Sequence, residues 1–175
     1  MKRVEIRTPR LTLRPAGPAY TESTHAYAGD PAHTRLMVFL PSASPEETRR
    51  FLEDAAREWA KADPMNLEFV VLLDGAHIGG INVERYDDGV SAELGWILHP
   101  RWSGHGYATE AARATMDWAA QTLGVRRFVA HCDAENAPSW RLMERLGMRR
   151  VGVAGGRRNR SGDGERTELT YEIEV

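Results

Sequence analysis

Two glycines one residue apart, Gly104 and Gly106, stand in the segment Arg101-Trp102-Ser103-Gly104-His105-Gly106-Tyr107-Ala108-Thr109-Glu110. There an apolar, strand-like run, Ala92 to Leu98, gives way to a helix rich in alanine. Glycine permits positive φ and the close approach of another group. Several backbone N–H groups can then converge at a helix N-terminus, where free donors and the helix dipole both favour an anion. The chemistry implied is the cradling of a pyrophosphate; the competing reading is a glycine-rich turn with no ligand. Two common phosphate motifs are excluded. The P-loop needs a Gly-Lys-Ser/Thr ending, which is absent, and the dinucleotide pattern needs a third glycine where Thr109 stands.

The elements around this segment follow from periodicity and punctuation. Leu11-Thr12-Leu13-Arg14 alternates as a half-buried strand does, and Pro15 and Pro18 break it. A first helix is predicted from about Ala19 to Ala28. Ser44-Pro45-Glu46-Glu47 starts another: Ser44 can cap, Pro45 suits the first helical position, and Glu47 completes a capping box. That helix runs toward Lys61, with Phe51, Leu52, Ala55, Ala56 and Trp59 at helical spacing. Glu68 to Leu73 reads as a buried strand, Asp74-Gly75 as a hairpin turn, and Ala76 to Arg85 as the return strand. Asp87-Asp88-Gly89 turns the chain into the Val90 to Leu98 strand. Tyr107 to Leu123 is helical and ends at Gly124. Arg127 to Cys132 is a strand, Asn136 suits the N-cap of a short helix ended by Gly147, and Met148 to Val153 and Thr167 to Glu174 are the last strands. Gly155 to Arg166 reads as a polar loop, so its basic run Arg157-Arg158-Asn159-Arg160 is expected to be solvated. The result is an α/β chain with a mixed sheet.

The 175 residues suit one domain, residues 1–175, and 42% hydrophobic with 27% charged residues is the balance of a soluble globular protein. A net charge of −2 supplies no cationic field for nucleic acid or anionic membrane, and the basic run lacks interleaved aromatics. The lone cysteine, Cys132, cannot form an internal disulfide, which favours a reducing cytoplasm. Met1-Lys2-Arg3-Val4-Glu5 lacks the apolar core of a signal peptide, and no apolar run is long enough to cross a membrane.

Set after Glu93-Leu94-Gly95-Trp96 and before Tyr107-Ala108-Thr109-Glu110-Ala111, the pattern Arg101-x-x-Gly104-x-Gly106 resembles the acyl-CoA pyrophosphate loop of the GNAT N-acetyltransferase superfamily, Gln/Arg-x-x-Gly-x-Gly/Ala. Asn136-Ala137-Pro138-Ser139-Trp140-Arg141-Leu142-Met143-Glu144-Arg145-Leu146-Gly147-Met148 resembles that family's Asn-x-x-Ser/Ala-x-x-Leu-x-Glu-Lys-Leu-Gly-Phe block. Ser139, with Leu11-Thr12-Leu13-Arg14, looks like the ribosomal-protein N-terminal acetyltransferase branch. The element order is also the family's, so the resemblance covers nearly the whole chain and is weakest over the first helical region.

The resemblance implies a GNAT-like, mostly antiparallel central sheet flanked by helices, with a splayed strand pair that takes acyl-CoA. It implies acetyl-CoA as cosubstrate, held by Trp96, Ile97, Leu98, Arg101, Ser103, Gly104, His105, Gly106, Tyr107, Ala108, Thr109 and Asn136. Gly95 is the expected site of a bulge that splays the strand, and Trp102 is expected to pack under the loop. Arg101 and His105 could meet phosphates or be solvated; the basic run's further readings are an acidic substrate, a CoA phosphate or RNA. An amine would attack the thioester directly. That calls for a general base and for an oxyanion donor, expected from a backbone N–H near Trp96 or Ile97. Glu93 is the first choice of base, its alternative a cross-strand partner for an arginine or a structural hydrogen bond; Glu84 is the reserve, and His131 a third, more often structural, choice. Many relatives carry a proton-donating Tyr where this chain has Met143, so Ser139 or water must protonate the thiolate, or it leaves unassisted. Cys132 reads as core rather than nucleophile. No histidine pair has metal-ligand spacing, so no metal is expected. The acceptor is a primary amine, either a protein N-terminus, as the branch resemblance suggests, or a small molecule such as an aminoglycoside, polyamine or amino acid. Such relatives are often homodimers. The rival reading is a non-catalytic acyl-CoA-binding regulator.

Overall fold

The computed structural model describes residues 4–162 and 164–175, so Met1 to Arg3 of the N-terminal segment lie outside the described residues. In chain order the elements are β1 (Ile6–Arg7), β2 (Leu11–Pro15), a single turn Pro18–Tyr20, α1 (Thr21–Ala28), α2 (Pro31–Thr34), α3 (Pro45–Trp59), β3 (Asn66–Leu73), β4 (Ala76–Arg85) and β5 (Ser91–Leu98). After a short turn, Pro100–Trp102, come α4 (Tyr107–Leu123), β6 (Arg127–Asp133), α5 (Ala137–Arg145), β7 (Arg149–Arg158) and β8 (Glu165–Glu174). The strands form one sheet in the order β1-β2-β3-β4-β5-β6-β8-β7, antiparallel except where β5 meets β6.

Local signals carry most of this. Ser44 accepts from the Glu47 N–H at 3.2 Å and opens α3, while the Glu47 carboxylate reaches back to the Ala43 N–H at 2.5 Å, one residue before the expected partner. Asp74 and Gly75 both adopt positive φ, as a two-residue hairpin of matching twist requires. The first helix, α1, starts two residues after the expected Ala19 because the Pro18–Tyr20 turn precedes it, and ends at Ala28 as expected; a further turn, α2, starts at Pro31 and is capped by Asp30. β7 and β8 extend past the expected ends, so the polar segment between them shrinks to a short turn.

The sheet is covered on both faces, but unevenly. Leu67, Phe69, Val71, Ile81, Val83 and Leu94 join Ala111, Ala112, Met116 and Ala119 of α4 in the main core. On the other face Val70 and Leu72 pack with Leu52 and Ala55 of α3. Beyond that patch the apolar alternation stops, and Glu68, Asn82, Glu84 and Glu93 stand on the same face. At the far edge, β7 leaves Val151 and Val153 exposed. No helix among the described residues is long and apolar enough to cross a membrane.

The expected bulge at Gly95 is absent. The β4–β5 register is unbroken from Gly79↔Leu98 to Arg85↔Ala92, and the nearest shift lies one strand away, at Val71/Leu72 of β3. The sheet tears instead. β5 and β6 pair only from Ser91↔Arg127 to Glu93↔Val129, after which β5 continues along β4 and β6 along β8. Gly95 serves a different need: a Cβ there would sit 2.3 Å from the Asn82 Oδ1, so glycine makes room for that side chain over β5.

Candidate active site

The tear opens into a cavity of about 1480 Å³. All the predicted site residues except Arg101 and His105 line it, as do Glu68, Glu84, His131 and Cys132. Its mouth carries an apolar lip, with Phe39 84% and Phe51 47% exposed.

The glycine loop forms one end. Gly104 and Gly106 have φ of 83° and 79°, and Gly106 is the N-cap of α4 with no side chain capping the helix. The first helical N–H groups, those of Tyr107, Ala108 and Thr109, are therefore free for an anion. Arg10 latches this loop from outside. Its guanidinium donates to the His105 carbonyl at 3.0 Å, lies 4.6 Å from the Tyr107 ring centroid, and pairs with Glu110 at 2.6 Å. Burial acts to raise the Glu110 pKa, but hydrogen bonds from Thr8 and Arg10 outweigh it and hold the carboxyl below its usual range. The side chains of Arg101 and His105 do not reach the cavity. Arg101 lies along the Trp102 ring, and His105 hydrogen-bonds the Ser103 carbonyl and stacks on Tyr107, because an exposed loop offers these nearer partners. Trp102 packs against the core, as expected.

The torn edge of β5 forms the wall. Ser91 and His99 bond toward β4 through Ser91 C=O and His99 N–H, so by alternation the odd residues of β5, Ile97 included, are spent on β4. The edge facing the tear belongs to Trp96 and Leu98. The Leu98 carbonyl contacts the His33 Nε2 at 2.8 Å, which leaves the N–H groups of Trp96 and Leu98 and the Trp96 carbonyl. Of the two expected oxyanion donors, the Trp96 N–H faces the cavity and the Ile97 N–H is turned toward β4.

Glu93 stands at the last paired position before the tear. Its carboxylate accepts from the Tyr86 hydroxyl at 3.1 Å and faces the His131 Nε2 at 3.8 Å. Burial raises its pKa, against the lowering influence of His131 and Tyr86. Of the alternative roles weighed for it, no arginine partner is found among the described residues, while the bond from Tyr86 is the structural hydrogen bond. His131 in turn contacts the Thr170 hydroxyl at 3.1 Å. Opposite, Asn136 caps α5 by accepting from the Ser139 N–H at 3.4 Å, and the Ser139 hydroxyl faces the Cys132 thiol. Burial pushes that thiol up to about 11, which fits a core residue and not a nucleophile. Met143 is fully buried away from the cavity.

Three features escaped the sequence. The basic run is not a solvated loop. Arg157 is an anchor with a side chain only 7% exposed, paired with Glu168 at 2.7 Å and donating to the Leu36 carbonyl. Asn159 reaches Asp133 and the Arg35 carbonyl, and Arg160 holds Glu47 and the Phe39 carbonyl. These groups fix the lip of the cavity. Arg10, as described, fixes the loop.

The third is Glu68. It lines the cavity, its carboxylate without a hydrogen-bond or ion-pair partner among the described residues, and burial, then the charge of Glu84, push its carboxyl up to about 7 from an ordinary 4.5. Between these values the folded protein holds a proton that the unfolded chain has released, so stability falls as pH rises through that window. Glu68→Gln removes the fall. With a discount for the side chain's partial exposure, urea unfolding should show a gain of about 1–3 kcal/mol at pH 8 and none at pH 4. An equal change at both pH values would contradict the assignment.

Known proteins match this architecture. A family model described as Acetyltransferase (GNAT) domain matches residues 10–149. The chain is 30% identical over 152 residues, 85% of each chain, to the "Uncharacterized N-acetyltransferase YnaD" of Bacillus subtilis (strain 168). The crystal structure of an acetyltransferase (GNAT family) from Bacillus anthracis shares 29% identity over 98% of each chain, with a TM-score of 0.82. RimL, a ribosomal L7/L12 alpha-N-protein acetyltransferase solved with coenzyme A, superposes over 98% of each chain with a TM-score of 0.87 at 19% identity, a likeness of fold. The torn sheet, the uncapped glycine turn and these matches agree: the chain belongs to the GNAT acetyltransferase family.

Proposed function

We propose that the protein moves the acetyl group of acetyl-CoA to a primary amine, by direct attack in a ternary complex. The observation that carries this is the convergence of a free helix N-terminus, an unpaired strand edge and a carboxylate of raised pKa on one cavity. The α4 N–H groups and the turn at Gly104 and Gly106 would take the pyrophosphate. The edge of Trp96 and Leu98 would pair with the amides of the pantetheine arm, with Asn136 facing it. Acetyl-CoA supplies an activated acyl group whose leaving group is a thiolate.

The protein's own contribution is orientation and proton transfer. As the amine's lone pair attacks the carbonyl carbon, a C–N bond forms, and the Trp96 N–H donates to the oxygen that gains charge. Glu93 accepts the proton that the amine sheds, with Tyr86 and His131 holding its carboxylate. The C–S bond then breaks. The thiolate takes a proton from water, directly or through the Ser139 hydroxyl, which regains one from water in the same step; a thiol's ordinary pKa of about 8.5 makes it a tolerable leaving group. RimL is named for acetylating a protein N-terminus, which supports an amine acceptor here, whether on a peptide or on a small molecule. A CoA-binding regulator without catalysis would leave Glu93 only its structural bond from Tyr86.

Calorimetric titration with acetyl-CoA tests the donor site. Micromolar binding, about −8 kcal/mol, is expected, followed by thiol release when a panel of primary amines is added. Absence of binding at high ligand concentration would overturn the reading of the loop. Binding without release for any amine would favour the regulator.

A further inference from the structure

The cavity holds more carboxylates than the transfer uses. Glu68 stands opposite Asn82 in the β3–β4 register, and Asn82 opposite Gly95 in the β4–β5 register. These three form a row across one face of the sheet, ending beside the tear. At about 4.8 Å per strand, Glu68 lies roughly 10 Å from Gly95 along that row. The Asn82 Oδ1 occupies the space over Gly95, and its amide donates to the Asn66 Oδ1 at 3.4 Å. Glu84 borders the same row, opposite both Asn66 and Glu93.

The nearby cations do not neutralise these carboxylates. Among the described residues no cation pairs with Glu68 or Glu84: Arg157 pairs with Glu168 and Arg160 with Glu47, while Arg113 donates to the Arg145 carbonyl. A second, independent sign of a missing ligand lies in the same corner. Thr24 of α1 is 6% exposed and lines the cavity, yet its hydroxyl has no partner within hydrogen-bond distance among the described residues. Tyr27, one turn further along α1, has its ionisation opposed first by burial and last by the charge of Glu68, with the Thr24 hydroxyl, near it though outside bonding distance, acting the other way; its own hydroxyl lies over Gly80, next to the row. A buried hydroxyl and a half-buried carboxylate without partners are costly unless something binds them.

We propose that Glu68, with Asn82 and Thr24 beside it, forms a subsite for a second ammonium group on the acceptor, so that the acceptor is a linear diamine or polyamine. This rests on the acetyltransferase reading above and names the substrate class of that same cavity. The reacting amine stands at the tear, beside Glu93. The distal ammonium donates to the Glu68 carboxylate, and the Thr24 oxygen offers a further acceptor. The methylene chain between them runs along Asn82.

The test compares hexamethylenediamine with hexylamine, which has the same length and no second charge. Initial rates with acetyl-CoA should show kcat/KM higher for the diamine by roughly tenfold, and Glu68→Gln should collapse that ratio toward unity. In parallel, hexamethylenediamine is titrated into protein saturated with coenzyme A, and its affinity should fall by a similar factor in Glu68→Gln. Equal kcat/KM for the two amines in the unmutated protein, or a preference that survives Glu68→Gln, overturns the subsite. If neither amine is acetylated, the titration decides: binding that depends on Glu68 sustains the subsite while the transfer reading falls, and no such binding overturns the subsite.

Discussion

Replacing Gly104 with valine should abolish acetyl-CoA binding while the fold survives. The residue sits at φ 83°, and a Cβ built there meets nothing within 4 Å, so the substitution causes no collision with the protein. Its cost comes from two other sources. A β-branched residue in the left-handed region is strained by about 1–3 kcal/mol, which the loop relieves by rotating its N–H groups out of line. The added methyl groups also stand in open space at the mouth of α4, where the phosphate oxygens would sit. Together these should weaken acetyl-CoA by at least ~100-fold, about 2.7 kcal/mol. Gly124→Val is the matched control. Gly124 has φ 74° and equally open surroundings, but lies at the opposite end of α4. It should lower stability by a comparable amount and leave binding as it was. Unchanged affinity in Gly104→Val would remove the pyrophosphate assignment; equal loss in both variants would mean that α4 itself, not the loop, had been damaged.

What was legible in the sequence, and what was not, divides by range. Gly104 and Gly106, the cap at Ser44, the Asp74-Gly75 turn and the N-cap at Asn136 are local: each needs only neighbours in the chain to have its effect, and each appears as expected. Glu93 was legible because it follows the turn into the strand that leads to the glycine loop. Glu68 was not. In sequence it is one polar residue at the start of an apolar strand, and its meaning depends on facing Asn82, whose own partner across the next strand is Gly95. Gly95 was noticed for the wrong reason: a glycine in a strand signals either a bulge or a close approach, and only the Asn82 side chain decides between them. The basic run misled in the same way. Arg157 and Asn159 read as solvated until the Arg35 and Leu36 carbonyls and Asp133 are brought to them from far along the chain. Arg10 and Glu110, separated by 100 residues in sequence, are invisible as a pair until the sheet forms.

Glu93→Gln carries the other large effect, on the chemical step. Glutamine keeps the shape and can still accept from Tyr86, so the variant should fold and bind acetyl-CoA as before. It cannot take a proton from the amine. Loss of a positioned general base costs roughly 100- to 10,000-fold, and here the loss should appear in kcat with little change in KM for acetyl-CoA. The pH profile gives the assignment a signature of its own. A base must be ionised to act, so activity falls as pH drops through the Glu93 pKa. Burial raises that pKa, so the acid limb should lie above the ordinary carboxylate value of 4.5. His131, 3.8 Å away, opposes the rise when charged. His131→Gln should therefore shift the limb to higher pH, whereas Glu93→Gln should erase it. A Glu93→Gln variant that keeps kcat and the unaltered limb would reduce Glu93 to a structural acceptor for Tyr86. The base would then have to be sought among Glu84, His131 and Glu68, which share the same wall.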